Sequence, residues 1–236
     1  MNELFQVVVA TWLAGITAFV GGAVARVERI PEGETKQEIV HGIVAFGGGI
    51  LVGAVAFVLA GEGIKYLSSP VLALVVCLGG ICFAVLDSAI TRRGGSRAQF
   101  MAMLMDFLPE AVSLGAVFGH DRKLGLLLAM FIGAQNLPEG FNAYRELKAS
   151  GSRSSNVMKT LFAISFLGPV AGIIGLAFLQ RKPVLTAGIM NFAAGGILYL
   201  VFQDIAPLSR MKRRRAPPLG AVLGFVVGML GKKLLS

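Results

Sequence analysis

Apolar runs occupy most of this chain of 236 residues and limit its fold more than any other feature. An α-helix needs roughly 20 apolar residues to cross a bilayer. Eight runs approach that length, at about 5–26, 41–61, 70–90, 99–118, 123–145, 157–180, 183–205 and 217–235. Because hydrocarbon cannot satisfy exposed backbone groups, such runs are expected to be helical. We therefore predict an all-α integral membrane protein with eight transmembrane helices in one domain, residues 1–236.

The distribution of charge predicts how the chain crosses the membrane. Charged residues make up only 15% of the sequence, yet the net charge is +9. If the N-terminus lies outside, most of the 22 Lys and Arg residues fall on the cytoplasmic side, as is typical of membrane proteins. We therefore expect both termini outside, in a bacterial-type inner (cell) membrane. The basic cluster 210–215 lies between two runs, which favours contact with anionic lipid over nucleic acid.

Two polar motifs interrupt the fourth and fifth runs. Asp106 and Glu110 are four residues apart, so both lie on one face of a helix. Gln135 and Glu139 have the same spacing, and Asn136 lies three residues before Glu139. A carboxylate in hydrocarbon is costly and normally faces a cavity or a partner. The two motifs predict one cation site between the fourth and fifth helices, formed by these five side chains.

Four other polar residues have several possible roles. His41 begins the second run and His120 lies in the loop after the fourth, where structural or solvated roles are favoured over metal ligation. Asp87, near the end of the third run, either lines an exit path, reaches the interface or pairs with the arginines at 92–93. Asp204 ends the seventh run, where a role at the membrane edge is favoured.

Small residues recur at spacings of four in two of the runs. Gly49 and Gly53 lie in the second run, and Gly220, Gly224 and Gly228 lie in the eighth. Such spacing allows helix backbones to approach closely in a membrane. The face in the eighth run is expected to pack within the protomer or at a homodimer interface, and the spacing does not choose between them.

In their order and content, these motifs resemble those of the Zrt/Irt-like (ZIP) family of divalent-metal transporters. The likeness covers nearly all of the chain: a Pro-Glu pair in the fourth run, Asn-x-Pro-Glu-Gly in the fifth, and Asn191-Phe-Ala-Ala-Gly-Gly and Asp204-Ile-Ala-Pro in the seventh. The resemblance implies transport by alternating access, as influx to the cytoplasm, with zinc, iron or manganese as substrate and no cofactor. The metal ligands that it implies are Asp106, Glu110, Gln135, Asn136 and Glu139.

The chain also departs from the family pattern and resembles a divergent member without the usual histidine ligands. Asp106 and Gln135 stand where the family has or often has His, and Phe107 stands in place of an Asn. Residues 50–51 are apolar where some members have a Met ligand, and Gly168 replaces a Glu. A second metal site is therefore in doubt. Oxygen donors suit manganese or iron(II) better than imidazole does, which predicts weaker zinc binding and broader selectivity.

Other functional classes fit the residues less well. A membrane enzyme is not expected, because both His residues are distant in sequence from the acidic motifs and no nucleophile–base pair is evident. No ATP-binding motif occurs, so transport would depend on gradients. Two alternatives stay open: a transporter of protons or another non-metal cation, and a metal-sensing membrane protein that does not transport.

Overall fold

The computed structural model describes residues 2–92, 98–211 and 215–235, and most of them are helical. Each apolar run predicted above falls on a long helix of its own, so the all-α prediction is confirmed. The helices of the described residues are α1 (Glu3–Val27), α2 (Glu34–Tyr66), α3 (Ser69–Arg92), α4 (Ala98–Phe118), α5 (Arg122–Ala149), α6 (Ser154–Leu179), α7 (Pro183–Leu208) and α8 (Ala216–Leu235).

The length and hydropathy of these helices agree with a membrane protein. In the described part of the chain, 7 of them are long and apolar enough to cross a bilayer. The remaining helix, α5, has 28 residues and is about 42 Å long at 1.5 Å per residue. Its polar motif and its charged ends lower its mean hydropathy. The length of α5 therefore permits an eighth span, which stays a prediction.

The helices pack as two groups. The first half consists of α1, α4, α5 and α6, and the second half consists of α2, α3, α7 and α8. Within the halves, α1 pairs closely with α5, α4 with α6, α2 with α8, and α3 with α7. Between the halves, the main contacts are those of α5 with α2 and of α4 with α7. The boundary between the halves thus passes along the two helices that carry the polar motifs.

Glycines bring the paired helices into backbone contact. A Cβ atom at Gly140 would lie 2.0 Å from the carbonyl oxygen of Ala18, and one at Gly21 would lie 1.9 Å from that of Leu137. No side chain fits these gaps, so α1 and α5 approach each other only because both positions are glycine. The same reciprocal packing joins the other pairs through Gly49 and Gly224, Gly115 and Gly175, and Gly79 and Gly195.

The predicted glycine face of α8 packs inside the chain. A Cβ atom at Gly220 would lie 2.4 Å from the carbonyl oxygen of Gly42 on α2, and one at Gly224 would lie 2.1 Å from that of Phe46. The close-packing prediction is confirmed within the protomer. A homodimer stays a prediction that these glycines no longer support, because their partners lie in the same chain.

Among the described residues, α2 and α7 contain π-turns, in which one turn is widened by a residue. They lie at Val55–Leu59 in α2 and at Val201–Ile205 in α7. The first is tied to α7, since Nδ2 of Asn191 donates a hydrogen bond to the carbonyl oxygen of Leu59 over 2.9 Å. Such turns are rare and occur frequently at functional sites. The second π-turn contains Asp204.

Candidate metal site

Helices α4 and α5 bring the two polar motifs into contact. Nε2 of Gln135 donates a hydrogen bond to Oε2 of Glu110 over 2.6 Å. Asp106 and Glu139 are neighbours that line one small cavity. Each acid of α4 therefore meets one residue of α5. The equal spacing of four residues in the two motifs explains this match, because it sets both members of each motif on one helix face.

All five predicted site residues are buried. Their exposed fractions run from 0% for Glu110 and Gln135 to 7% for Glu139. Burying a polar group without a partner is unfavourable, and burying a charge is more so. The site therefore needs groups or ions that satisfy these side chains away from water.

Each of the five side chains keeps one oxygen without a hydrogen-bond partner. The atoms are Oδ1 of Asp106, Oε1 of Glu110, Oε1 of Gln135, Oδ1 of Asn136 and Oε2 of Glu139. Elsewhere in the described residues, the only buried side-chain atoms without a partner are Nε1 of Trp12 and Oδ1 of Asn191. Since buried polar atoms are nearly always satisfied in folded proteins, this concentration of acceptor oxygens marks a place suited to a cation.

The carboxyl groups of the site lie close to one another. Within the described ranges, no Lys or Arg forms an ion pair with Asp106, Glu110 or Glu139. Acidic groups lie beside one another instead, since Asp106 is one helical turn from Glu110 on α4 and lines a small cavity with Glu139. Like charges repel strongly away from water. A bound cation would relieve that repulsion.

The side chains are held in two pairs rather than around one point. In the part of the chain that the structure describes, no group of three or more His, Cys, Asp or Glu residues is arranged to hold a metal ion. Glu110 is hydrogen-bonded to Gln135, whereas Asp106 and Glu139 line a small cavity. Binding a shared cation therefore requires these side chains to turn toward a common centre.

Asn136 connects the site to a third helix. Its Nδ2 donates a hydrogen bond to the carbonyl oxygen of Ala14 on α1, over 3.0 Å. This bond fixes the amide group against α1 while Oδ1 stays unpartnered. Sequence spacing places Asn136 near Glu139 along α5, but it does not indicate this contact with α1.

A small cavity adjoins the site and reveals an acid that sequence reasoning missed. The cavity is about 20 Å³ in volume, and its walls include Asp106, Glu139, Leu51 and Asp204. That volume has room for a single water-sized occupant. The favoured role of Asp204 at the membrane edge did not include a place beside the motifs. The Asp-Ile-Ala-Pro sequence was the available signal, but the π-turn that contains Asp204 is not evident from sequence.

Two departures from the ZIP pattern meet in space. The ring of Phe107 lies against Gly168 and Gly15, since a Cβ atom at either glycine would lie 2.9 Å from Cζ of Phe107. Phe107 is 2% exposed. The residues at the positions of a family Asn and a family Glu are thus a buried ring and the glycine that accommodates it. The phenyl ring fills the space between α4, α1 and α6.

Asp87 lies on α3 and contacts α7, another helix of the second half, rather than the motifs. Its Oδ2 accepts a hydrogen bond from the hydroxyl group of Tyr199 on α7, over 2.9 Å. The suggested pairing with the arginines at 92–93 lies outside the described side chains. The contact with Tyr199 therefore gives Asp87 a partner that the sequence did not suggest.

The two histidines bind backbone groups. Nδ1 of His41 contacts the carbonyl oxygen of Leu208 at the end of α7. Nδ1 of His120 lies 3.1 Å from the carbonyl oxygen of Ala116, one turn earlier in the chain. These contacts agree with the structural roles favoured for both residues.

Comparison with known proteins supplies an independent observation. The chain is similar to the zinc transporter GufA of Myxococcus xanthus. The two sequences are 31% identical over 132 residues, which is 55% of this chain and 52% of the relative. The chain thus spans about half the length of the curated relative that it matches. No family model matches the sequence.

Proposed function

We propose that this protein transports divalent metal cations of the zinc, iron and manganese class across a cell membrane, as a member of the ZIP family. The observation that carries the proposal is the group of buried, unpartnered oxygens on all five motif residues. The membrane-competent helices and the similarity to a zinc transporter support it. In this proposal the metal is the transported substrate rather than a cofactor, and the protein is not an enzyme.

The donor atoms favour a hard or intermediate cation. Carboxylates of Asp106, Glu110 and Glu139 and the amide oxygens of Gln135 and Asn136 form the proposed ligand set. Zinc binds carboxylate oxygens at about 2.0–2.2 Å, but manganese and iron(II) suit an all-oxygen site at least as well. We therefore infer broad selectivity with weaker preference for zinc than in a relative with histidine ligands.

The proposal includes a single metal site. A second site of the family type would need polar ligands where Phe107 and Gly168 stand. The phenyl ring is packed against that glycine and carries no donor atom. One metal ion in each transport cycle is the stoichiometry that fits this packing.

The division into two halves supports alternating access. All five proposed ligands belong to the first half, and α4 and α5 meet the second half along its boundary. Backbone contact at the glycines makes each pair rigid, so a shift of one half against the other is the simplest motion. Such rigid-body movement is common among secondary transporters. The direction that we propose is influx to the cytoplasm. We also propose that both termini lie outside, because the distribution of Lys and Arg favours that orientation.

Uptake into proteoliposomes tests the proposal. Zinc, manganese, iron(II), cobalt and cadmium would each be measured with wild type and with Glu110→Gln/Glu139→Gln. We expect uptake that saturates and is lost in this double variant. Glu62→Gln is a matched control, because Glu62 is also a buried acid but pairs with Lys65 at 3.9 Å. Its uptake should remain near that of wild type.

The alternatives make different predictions in the same experiment. A metal sensor would be stabilised by metal against thermal unfolding without accumulating it in vesicles. A transporter of protons or organic cations would show neither metal uptake nor stabilisation by metal. Failure of all five metals to enter vesicles that contain folded protein would overturn the transport proposal.

A further inference from the structure

An apolar groove lies on the side of the helix bundle, between the two halves. Its volume is about 590 Å³, and its walls come from α1 and α5 on one side and from α2 and α8 on the other. Leu219 and Leu223 of α8 line it and are 58% and 61% exposed. Pro138, next to Glu139, also lines the groove. One end of the groove is marked by Glu38 and Ala216, which lie near the starts of α2 and α8.

Positive charge lies at the end of the groove that is marked by Glu38 and Ala216. The guanidinium group of Arg145 lies 5.9 Å from the ring centre of Phe141, a residue of the groove wall. Arg215 directly precedes Ala216 and is exposed. Acids are also present, since Glu38 lines the groove and the charge of Arg145 acts on Glu32. The groove is therefore apolar along its length and carries cationic groups at its mouth.

We propose that this groove binds an anionic phospholipid. One acyl chain would lie between the halves, along the wall toward Pro138, and the phosphate would meet Arg145 and Arg215. An apolar slot on the side of a membrane protein faces lipid tails, and basic groups at the membrane surface attract anionic headgroups. The combination selects a lipid with both parts over a soluble anion or a neutral lipid.

The position of the lipid has a consequence for transport, which rests on the proposed function. An acyl chain in the groove touches both halves and occupies space that a shift between them would change. Release or binding of the chain would therefore accompany the movement. Anionic lipid would alter the rate of uptake without contacting the metal ligands.

Two glycines provide a matched pair of variants for testing the binding. Gly42 lines the proposed lipid groove, and Gly188 lines a separate apolar groove of about 760 Å³ in the other part of the bundle. A Cβ atom at either position would meet no atom within 4 Å. Gly42→Phe therefore fills the lipid groove and Gly188→Phe fills the other one, without a clash at the first side-chain atom.

Native mass spectrometry of the intact protein gives the direct measurement. Detergent-solubilised protein would be titrated with phosphatidylglycerol or phosphatidylcholine of identical acyl chains. Wild type and Gly188→Phe should retain phosphatidylglycerol, whereas Gly42→Phe should lose it. Arg145→Gln and Arg215→Gln should each weaken phosphatidylglycerol binding about fivefold, since one basic residue near an anionic surface contributes about 1 kcal/mol. Their binding of phosphatidylcholine should not change.

Three results would overturn the proposal. Equal retention of both lipids by wild type would remove the role of the headgroup. Equal loss of phosphatidylglycerol in Gly42→Phe and Gly188→Phe would remove the assignment to this groove. A change from dimer to monomer in Gly42→Phe alone would show that a second copy of the chain covers it. The arginine variants leave the groove walls intact, so they test the proposal even if Gly42→Phe fails to fold. Lipid binding is measured without metal, so its failure is distinct from failure of transport.

Discussion

Gln135 donates a hydrogen bond to Glu110 over 2.6 Å, while its own amide oxygen has no partner. One side chain of α5 thus uses its nitrogen to hold an acid of α4 and leaves its oxygen for another ligand. The choice of residue at position 135 therefore affects both the position of Glu110 and the type of donor atom offered to a cation.

Gln135→His is expected to shift selectivity toward zinc. Imidazole binds zinc well, whereas manganese prefers oxygen donors. We expect the ratio of zinc to manganese uptake to rise by about tenfold, equivalent to about 1.4 kcal/mol. Competitive uptake of both metals into proteoliposomes measures this ratio. Gln135→Glu keeps an oxygen donor and should not raise it, and an equal rise in both variants would contradict the explanation.

Asp204→Asn is expected to slow uptake, because Asp204 lines the small cavity beside Asp106 and Glu139. A neighbouring acid contributes to the potential and hydrogen bonding around a metal site. Loss of such an outer group typically costs 10–100-fold, and we expect about tenfold lower uptake. Gln203→Ala is the control, since Gln203 is exposed on the same π-turn. Unchanged uptake in Asp204→Asn would show that the cavity has no part in transport.

Gly140→Ala is expected to lower thermal stability in detergent. The added Cβ atom would lie 2.0 Å from the carbonyl oxygen of Ala18, so α1 and α5 must separate. Overpacking of this kind typically costs about 1–3 kcal/mol. Gly42→Ala, which meets open space, should be neutral or slightly stabilising because Ala is the better helix former. Equal melting temperatures for the two variants would be evidence against tight packing of α1 on α5.

Phe107→Ala is expected to destabilise the protein without removing metal binding. The buried ring packs at Gly15 and Gly168, and deleting a core phenyl group typically costs about 3–5 kcal/mol. Thermal unfolding and metal affinity would be measured on the same preparation. Leu108→Ala is a neighbouring control, because Leu108 is 38% exposed and should matter less. A loss of metal affinity at unchanged stability would assign Phe107 to the site instead.

The sequence was sufficient to predict the helices and the contact between the two motifs. Long apolar runs permit little besides helices in a bilayer. A spacing of four sets Asp106 with Glu110, and Gln135 with Glu139, on one helix face. Since both motifs are buried only if their faces meet, their contact follows from the cost of exposing polar groups to lipid.

The relations between distant helices could not be read in this way. The bond from Asn136 to Ala14 depends on which helix lies beside α5. Asp204 lines the cavity beside the site from α7, a helix of the second half. It lies in a π-turn that no residue type specifies. Glycine spacing likewise indicated close packing in α8, but not that α2 was its partner. Local periodicity determines faces, whereas pairing depends on the whole bundle.

The pairing of α2 with α8 also affects the order in which the protein assembles. A chain that enters the membrane from its N-terminus makes α2 before α3 to α7, and only after these α8. Gly49 and its backbone neighbours therefore have no permanent partner until residues 216–235 have been synthesised. The second half therefore completes its structure only after α8 has been made, and until then the glycine face of α2 is open to lipid or to another protein.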